Sequence, residues 1–409
     1  MSTVQATAEE LRPLAVELLG SPAPPQDPYP KYHQLRDAAP MYRDEELGIW
    51  FLTRYADCSE ALRDPRLGRA PEDVESQLNG GVRRQRRRQR PSMLFLNPPE
   101  HTRQRKLVNR GFTPRRVESM RPHVAELTDE CLDRIAEQGE ADIMDLLAFP
   151  LPVAVIGELV GVPRAEQAQF RDVAQDLTAR LDPIQSDEKV DRAEVAADFF
   201  REYFLDLISK RRAEPQDDLT SLLVQAEESG DVLDEDEIIS VTILLFAAGF
   251  ETTTNLIGSG LLALLRNPGE LQRLRDDRSL LPSAVEEMLR YESPVQVNGR
   301  YALADTEIGG HPIRAGESVV TFLGAGNRDP EQFPDPDRFD VGRDHGAALS
   351  FGGGIHYCLG AALARLEAQV VFDRLLDRFA TLELLEQPTF RPSVTLRGVE
   401  ELRVRCEPA

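Results

Sequence analysis

Residues 349 to 369, "LSFGGGIHYCLGAALARLEAQ", hold the side chain in this chain best suited to chemistry, Cys358. Three consecutive glycines, 352 to 354, allow tight turns and close approach of another group to the backbone, and beyond Gly360 the composition turns strongly helical. Cys358 therefore stands just before a helix N-terminus, where free N–H groups and the helix dipole favour a thiolate. An anionic sulfur on a rigid, glycine-lined loop suits a metal ligand or a nucleophile, and His356 lies two residues away. For a lone cysteine the plain alternative is a buried free thiol. Spacing alone leaves all three readings open.

Other side chains are spaced for joint action. In "EEMLR", Glu287 and Arg290 are three apart and share a helix face, as do His101 and Arg105, four apart in "PPEHTRQRKLVNRGFTP". In "AAGFETT", Ala248 and Gly249 are small enough to leave a groove against a flat group. Thr252 can bond back to a carbonyl one turn earlier and open the helical ladder locally. Its neighbour Glu251 is an acid in an otherwise apolar span, which is costly unless it serves a purpose.

The last group must ride on a long helix. Asp234 with Glu237 resembles a capping box, and the apolar run continues through "IISVTILLFAAGFETTTNLIGSGLLALLRN" to the Asn267-Pro268-Gly269 stop. About 30 residues at 1.5 Å each give roughly 45 Å, enough to cross a domain, and an all-round apolar circumference predicts burial on every side. "VESMRPHVAELTDECLDRIAEQ" and "VAADFFREYFLDLISKRRAE" also carry helical periodicity, whereas strand signals are confined to "GIWFLTRY", "RYALADTEIGGHPIRAGESVVTFL" and "PSVTLRGVEELRVRC". The fold class expected is mainly α with small β-sheets. Residues 1–27 read as an N-terminal arm with the Pro-rich "SPAPPQDPYP" leading into the fold, and 28–409 as a single domain.

The net charge of −22 and pI near 4.8 exclude a general nucleic-acid binder, so the one arginine run, "GVRRQRRRQR" at 81 to 90, must act locally if it acts at all. Cys58, Cys131, Cys358 and Cys406 are far apart, with neither a CxxC pair nor a disulfide framework, which suits a reducing cytoplasm. The first residues lack a basic start with an apolar core, and no run of 18 apolar residues occurs, so an unexported protein without a membrane span is expected.

Phe351-x-x-Gly354-x-x-x-Cys358-x-Gly360 resembles the haem-binding signature of the cytochrome P450 family, the haem-thiolate monooxygenases. The other motifs follow in family order over residues 28 to 405. The resemblance implies the family fold, with haem b held between the long buried distal helix and a proximal cysteine loop. Cys358 is then the axial iron ligand, its thiolate donating electron density to favour O–O cleavage. Phe351, Gly360 and Ala248 would flank the haem. His101, Arg105, Arg300 in "NGRYALAD" and His356 would pair with its propionates. Glu287, Arg290 and Arg338, the last from "FPDPDRF", would form the triad locking the proximal core, and Glu251 and Thr252 would relay protons.

The function implied is insertion of one oxygen atom of O2 into an organic substrate, by hydroxylation or epoxidation, in natural-product biosynthesis. The alternative is a haem-thiolate peroxygenase or a redox-neutral rearrangement enzyme, against which the Glu251-Thr252 pair argues. Electrons would come from a separate ferredoxin and ferredoxin reductase docking on the cysteine side, where Arg365 offers positive charge, and a monomer is expected. Substrate would meet Leu94, Leu244, Leu245, Val295, Gln296, Val297, Asn298 and Val394, a set that suits a medium-to-large scaffold. The arginine run falls in the segment before "PPEHTRQR". It reads either as a solvated loop or as a cationic lip for an anionic substrate or an acidic carrier protein bearing one.

Overall fold

The computed structural model describes residues 8–21, 24–70, 90–183, 186–228, 233–344 and 346–409. The first half of the chain runs α1 (Ala8–Gly20), α2 (Tyr29–Ala38), β1 (Met41–Asp44), β2 (Ile49–Leu52), α3 (Tyr55–Arg63), β3 (Leu67–Gly68), α4 (Glu100–Val108), α5 (Pro114–Ser119), α6 (Arg121–Gln138), β4 (Glu140–Asp142), α7 (Pro150–Val160), α8 (Phe170–Thr178), α9 (Asp187–Ala213) and α10 (Leu219–Glu228). The second half runs α11 (Glu235–Arg266), α12 (Pro268–Asp276), α13 (Leu281–Tyr291), β5 (Val297–Ala302), β6 (Thr306–Ile308), β7 (His311–Ile313), β8 (Ser318–Phe322), α14 (Leu323–Gly326), α15 (Ala361–Arg378), β9 (Phe379–Leu384) and β10 (Arg403–Pro408). The mainly helical class with small sheets is what the sequence predicts.

The strands form a five-stranded sheet in the order β1-β2-β8-β5-β3, a three-stranded sheet β4-β10-β9, and the hairpin β6-β7. Only β2 and β8 run parallel, Trp50 opposite Val319, and the other pairs are antiparallel. Of "PSVTLRGVEELRVRC" only the end becomes strand; the earlier part makes isolated bridges, Val295 with Leu396 and Phe390 with Val399. "VESMRPHVAELTDECLDRIAEQ" is two helices, because Pro122 in the first turn of α6 lacks the N–H that would carry α5 onward.

α11 begins where the capping box places it. The Asp234 carboxylate accepts the Glu237 N–H at 2.9 Å and the Glu237 side chain accepts the Asp234 N–H at 3.1 Å. Its 32 residues rise about 48 Å at 1.5 Å each and pack against α7, α9 and α13 through an apolar core that includes Phe200, Phe204, Phe246 and Phe250. Among the described residues it is the helix long and apolar enough to cross a membrane, and it is mostly buried inside the protein. The N-terminal segment is more than an arm. Leu11, Leu14, Leu18 and Leu19 of α1 join Tyr29, Tyr32, Phe51, Val297, Val320 and Phe322 in a second apolar cluster over the five-stranded sheet.

Candidate active site

The cysteine loop is assembled from backbone geometry first. Gly352 and Gly354 adopt φ of +68° and +64°, the left-handed region that side chains resist, and a Cβ on Gly354 would meet the Leu62 carbonyl oxygen at 2.4 Å. The Cys358 N–H donates to the Phe351 carbonyl at 3.0 Å, closing the loop, and Gly360 caps α15. Backbone N–H groups of Gly360 and Ala361 point at the sulfur. Burial pushes the thiol pKa up, while those two N–H groups, Arg105 and Arg365 pull the other way.

Behind the loop lies a buried charge network. Arg290 and Glu287 are fully buried and bidentate, Nε to Oε2 at 2.6 Å and Nη2 to Oε1 at 2.9 Å. Arg290 also donates to the carbonyls of Asn327 and Pro336, both at 2.8 Å. The Asn327 side chain continues the chain of bonds, accepting the Leu349 N–H at 2.7 Å and donating to Ser293 and Ser350 hydroxyls. The charge network is thereby fastened to the first residue of the cysteine loop.

Arg338 is not the third member of this network. Its guanidinium is mostly exposed, 3.6 Å from Asp340, and only its carbonyl reaches the network, accepting from Arg290 and Arg343. Arg343, 11% exposed, takes the place assigned to Arg338, with Nε 3.2 Å from Glu287 Oε1. The connecting segment turns twice, Arg338 N–H onto Asp335 and Arg343 N–H onto Asp340, which swings the later arginine inward. Arg365 is also not a free cation, since Glu286 holds it at 2.5 Å and it lies over the Phe351 ring at 4.4 Å.

On the other side of the cysteine, donors converge without an acid among the described residues. The His101 and His356 rings are 4.4 Å apart, Arg105 donates to the Tyr357 carbonyl at 2.7 Å, and Arg300 on β5 donates to Asn298 Oδ1. His101 Nδ1, His356 Nε2 and Arg69 Nε are sealed from solvent and have no partner. Burial and the neighbouring cations depress both imidazoles, His356 to about 2, and burial brings Arg300 down to about 10. Cations that destabilise one another in this way suit an anion lying between them. Arg69 belongs to this group and stands in none of the sequence motifs.

The long helix leaves a few positions open along an otherwise buried length. Within its buried length the positions left open are Leu244, Ala248, Gly249 and Thr252, and 244, 248 and 252 fall on one line at spacing four. Thr252 Oγ1 donates to the Ala248 carbonyl at 2.9 Å. Leu245 lies off that line, buried in the core. Glu251, 4% exposed, is paired with Arg391 at 2.5 Å; burial raises its pKa and Arg391 opposes the rise.

The chain matches the Cytochrome P450 family model over residues 51–397. It belongs to the cytochrome P450 family. This P450 is 46% identical over 394 residues to Cytochrome P450 107B1 of Saccharopolyspora erythraea, covering 93% of this chain and 95% of that one. It is 41% identical to the 6-deoxyerythronolide B hydroxylase of the same organism, covering 93% and 96%. The crystal structure of P450BioI with a hexadec-9Z-enoic acid-ligated acyl carrier protein superposes with a TM-score of 0.85 at 38% identity, covering 93% of this chain and 98% of that one.

The P450 is therefore a haem-thiolate monooxygenase, and its residues fit the cofactor. The orphaned donors of His101 and His356, with Arg105 and Arg300, suit two propionates, and the open line at Ala248 leaves room for a flat macrocycle. No group of three or more His, Cys, Asp or Glu able to hold a metal lies among the described residues. In the substrate region, the 294–296 and 395–397 segments are tied by Gln296 N–H to Thr395 O at 2.8 Å and Arg397 N–H to Pro294 O at 2.9 Å. Asp182 joins the same turn, accepting from Ser393 and Thr395. That sets Val295 opposite Leu396, with Val394 in the same turn, whereas Leu94 lies on a separate short turn, half-buried.

Three assignments in this region are corrected. Gln296, 2% exposed, donates its amide N–H groups to the Ser293 carbonyl and the Tyr29 hydroxyl, and its oxygen is buried against Gly324. Val297, paired with Phe322, points into the N-terminal cluster. Asn298 has its oxygen occupied by Arg300, so it positions that guanidinium. Of the arginine run, residues 83–89 lie outside the described residues, and Arg90 pairs with Asp234 at 3.0 Å.

Proposed function

We propose that this P450 hydroxylates or epoxidises a large, mostly apolar natural product of the polyketide type. Bound through Cys358, haem supplies reductive dioxygen activation, with one oxygen atom going into the substrate and the other into water. Ala248, small and open on the line with Leu244 and Thr252, leaves the cofactor face free, while Gly249 lets the long helix close on Ile156 of α7, which a Cβ there would meet at 2.7 Å. Thr252, whose proton is given to the Ala248 carbonyl, keeps oxygen lone pairs for an incoming donor. Glu251, its pKa raised by burial, is able to take a proton from solvent and pass it on beside Thr252.

The observation that carries the substrate reading is the uncharged character of Leu94, Leu244, Val295 and Val394, which orders a bulky scaffold by shape. Two relatives support it, one named for hydroxylating 6-deoxyerythronolide B and one seen with an acyl carrier protein bearing a fatty acyl chain. A carrier-borne substrate, a separate ferredoxin and ferredoxin reductase, a monomeric state and a cytoplasmic location complete the proposal, the last supported by four unpaired cysteines. The test is a titration of the ferric enzyme with macrolactones, free fatty acids and acyl carrier proteins loaded with either. Macrolactones should displace the sixth ligand and shift the absorption spectrum; a shift with fatty acyl carrier protein alone would refute the scaffold. The ferrous–CO spectrum, with Cys358→His as control, tests the ligand.

A further inference from the structure

We infer that Arg69 is a fifth member of the anion-holding group and binds a haem propionate. It stands immediately after β3, whose Gly68 pairs with Tyr301 of β5, so the two adjacent strands bring Arg69 and Arg300 to the same place. Its backbone is fixed from both sides by one side chain: Asn97 Oδ1 accepts the Arg69 N–H at 2.8 Å, and Asn97 Nδ2 donates to the Arg69 carbonyl at 2.9 Å. Gly68 has to be small for this, because a Cβ there would meet Asn97 Oδ1 at 2.4 Å.

The side chain is then committed inward. Nη1 donates to the Gly299 carbonyl at 2.9 Å, while Nε, sealed from solvent, has no partner. None of the ion pairs among the described residues involves Arg69, Arg105 or Arg300. A guanidinium cannot escape its situation by releasing a proton under ordinary conditions, so a half-buried arginine whose Nε is sealed among like charges favours an anion beside it. Nearby Arg66 shows the contrast: it is exposed and forks onto Asp64. Two propionate carboxylates are the anions this fold brings to that place, and the Arg69 Nε–H is the unspent donor that reaches for one of them. Because Asn97 fixes Arg69 at one end of a segment and itself stands at the other, the contact would also couple the base of that segment to the cofactor.

The experiment compares holoenzymes carrying Arg69→Gln, Arg69→Lys, Arg300→Gln and, as a surface control, Arg66→Gln. Three quantities are read: the rate of haem transfer to excess apomyoglobin, the ferric/ferrous midpoint potential, and the propionate-bending band in resonance Raman spectra. Arg69→Gln should speed haem loss about tenfold, in line with a lost charge-assisted bond of about 1.4 kcal/mol. It should also move the potential to more negative values and shift the propionate band, and Arg69→Lys should restore part of each. If Arg69→Gln yields no folded enzyme, Arg69→Lys carries the test, with a shifted propionate band supporting the inference. Haem loss, potential and Raman band equal to those of Arg66→Gln, while Arg300→Gln changes them, would overturn the role of Arg69 and leave the propionate site itself intact. An unaltered band in Arg300→Gln as well would instead count against the propionate site as drawn.

Discussion

Arg391→Leu isolates the electrostatics of the acid beside Thr252. In the native enzyme Glu251 and Arg391 are 2.5 Å apart with side chains 5% and 16% exposed, so neither is well solvated. Removing one partner of such a pair costs about 3–5 kcal/mol when the other stays charged. Glu251 has an escape: burial already raises its pKa, Arg391 is what opposes the rise, and without the arginine the carboxyl takes up a proton. An acid whose folded pKa lies above its unfolded value loses stability as pH rises from the unfolded pKa toward the folded one, by about 1.4 kcal/mol per unit. The cost of Arg391→Leu should therefore be below about 1 kcal/mol at pH 5 and grow to about 3–4 kcal/mol by pH 8. Glu251→Gln in the same background should abolish that growth. Urea-unfolding midpoints of the paired holoenzymes from pH 5 to 8 measure it, and peroxide released per reducing equivalent reports the effect on oxygen use. A penalty that does not change with pH, or a double variant as unstable as Arg391→Leu alone, would refute the reasoning.

Glu367 on α15 is fully buried with its pKa pushed up to about 8 and Oε2 unpartnered, so native stability should fall by up to about 5 kcal/mol as pH rises from the ordinary carboxylate range through 8. Glu367→Gln should flatten that decline in unfolding curves taken across the interval. Arg343→Ala should cost about 1–2 kcal/mol in unfolding free energy, by removing one charge-assisted bond from a Glu287 that Arg290 still holds, and lower the yield of thiolate-type CO adduct, whereas Arg338→Ala should cost under about 0.5 kcal/mol. Thr252→Ala should leave folding and substrate affinity near native and divert reducing equivalents to peroxide, measured as product formed per NADPH consumed.

The parts of this site that could be read from sequence are those whose geometry is local. The capping box at Asp234 and Glu237 closes within one turn, and the glycines around residue 352 to 354 announce a loop that side chains would not tolerate. That Glu287 and Arg290 can meet follows from helical spacing, while their burial is carried by the family resemblance and not by the spacing. Arg343 was out of reach because two arginines five residues apart leave the same segment, and the turns at Asp335 and Asp340 decide which one swings inward. Arg69 was hidden for another reason: its place beside Arg300 exists only through the pairing of Gly68 with Tyr301, more than two hundred residues apart. The facing of Gln296 and Val297 was not legible, since strand alternation says that neighbours face opposite ways without saying which way is inward, and the register of Val297 against Phe322 settles the latter.

The packing of α1 has a consequence for how the chain is made. Its leucines share a cluster with Val297, Val320 and Phe322, which leave the ribosome roughly 300 residues later, about 15–60 s at ordinary elongation rates. Throughout that interval α1 has α2, with Tyr29, Tyr32 and Leu35, and the early strands for cover. Its cluster therefore stays unfinished until β5 and β8 have been made. Slow translation, or a fusion partner that delays release of the last third of the chain, should lower the soluble yield more than the finished protein's stability would suggest.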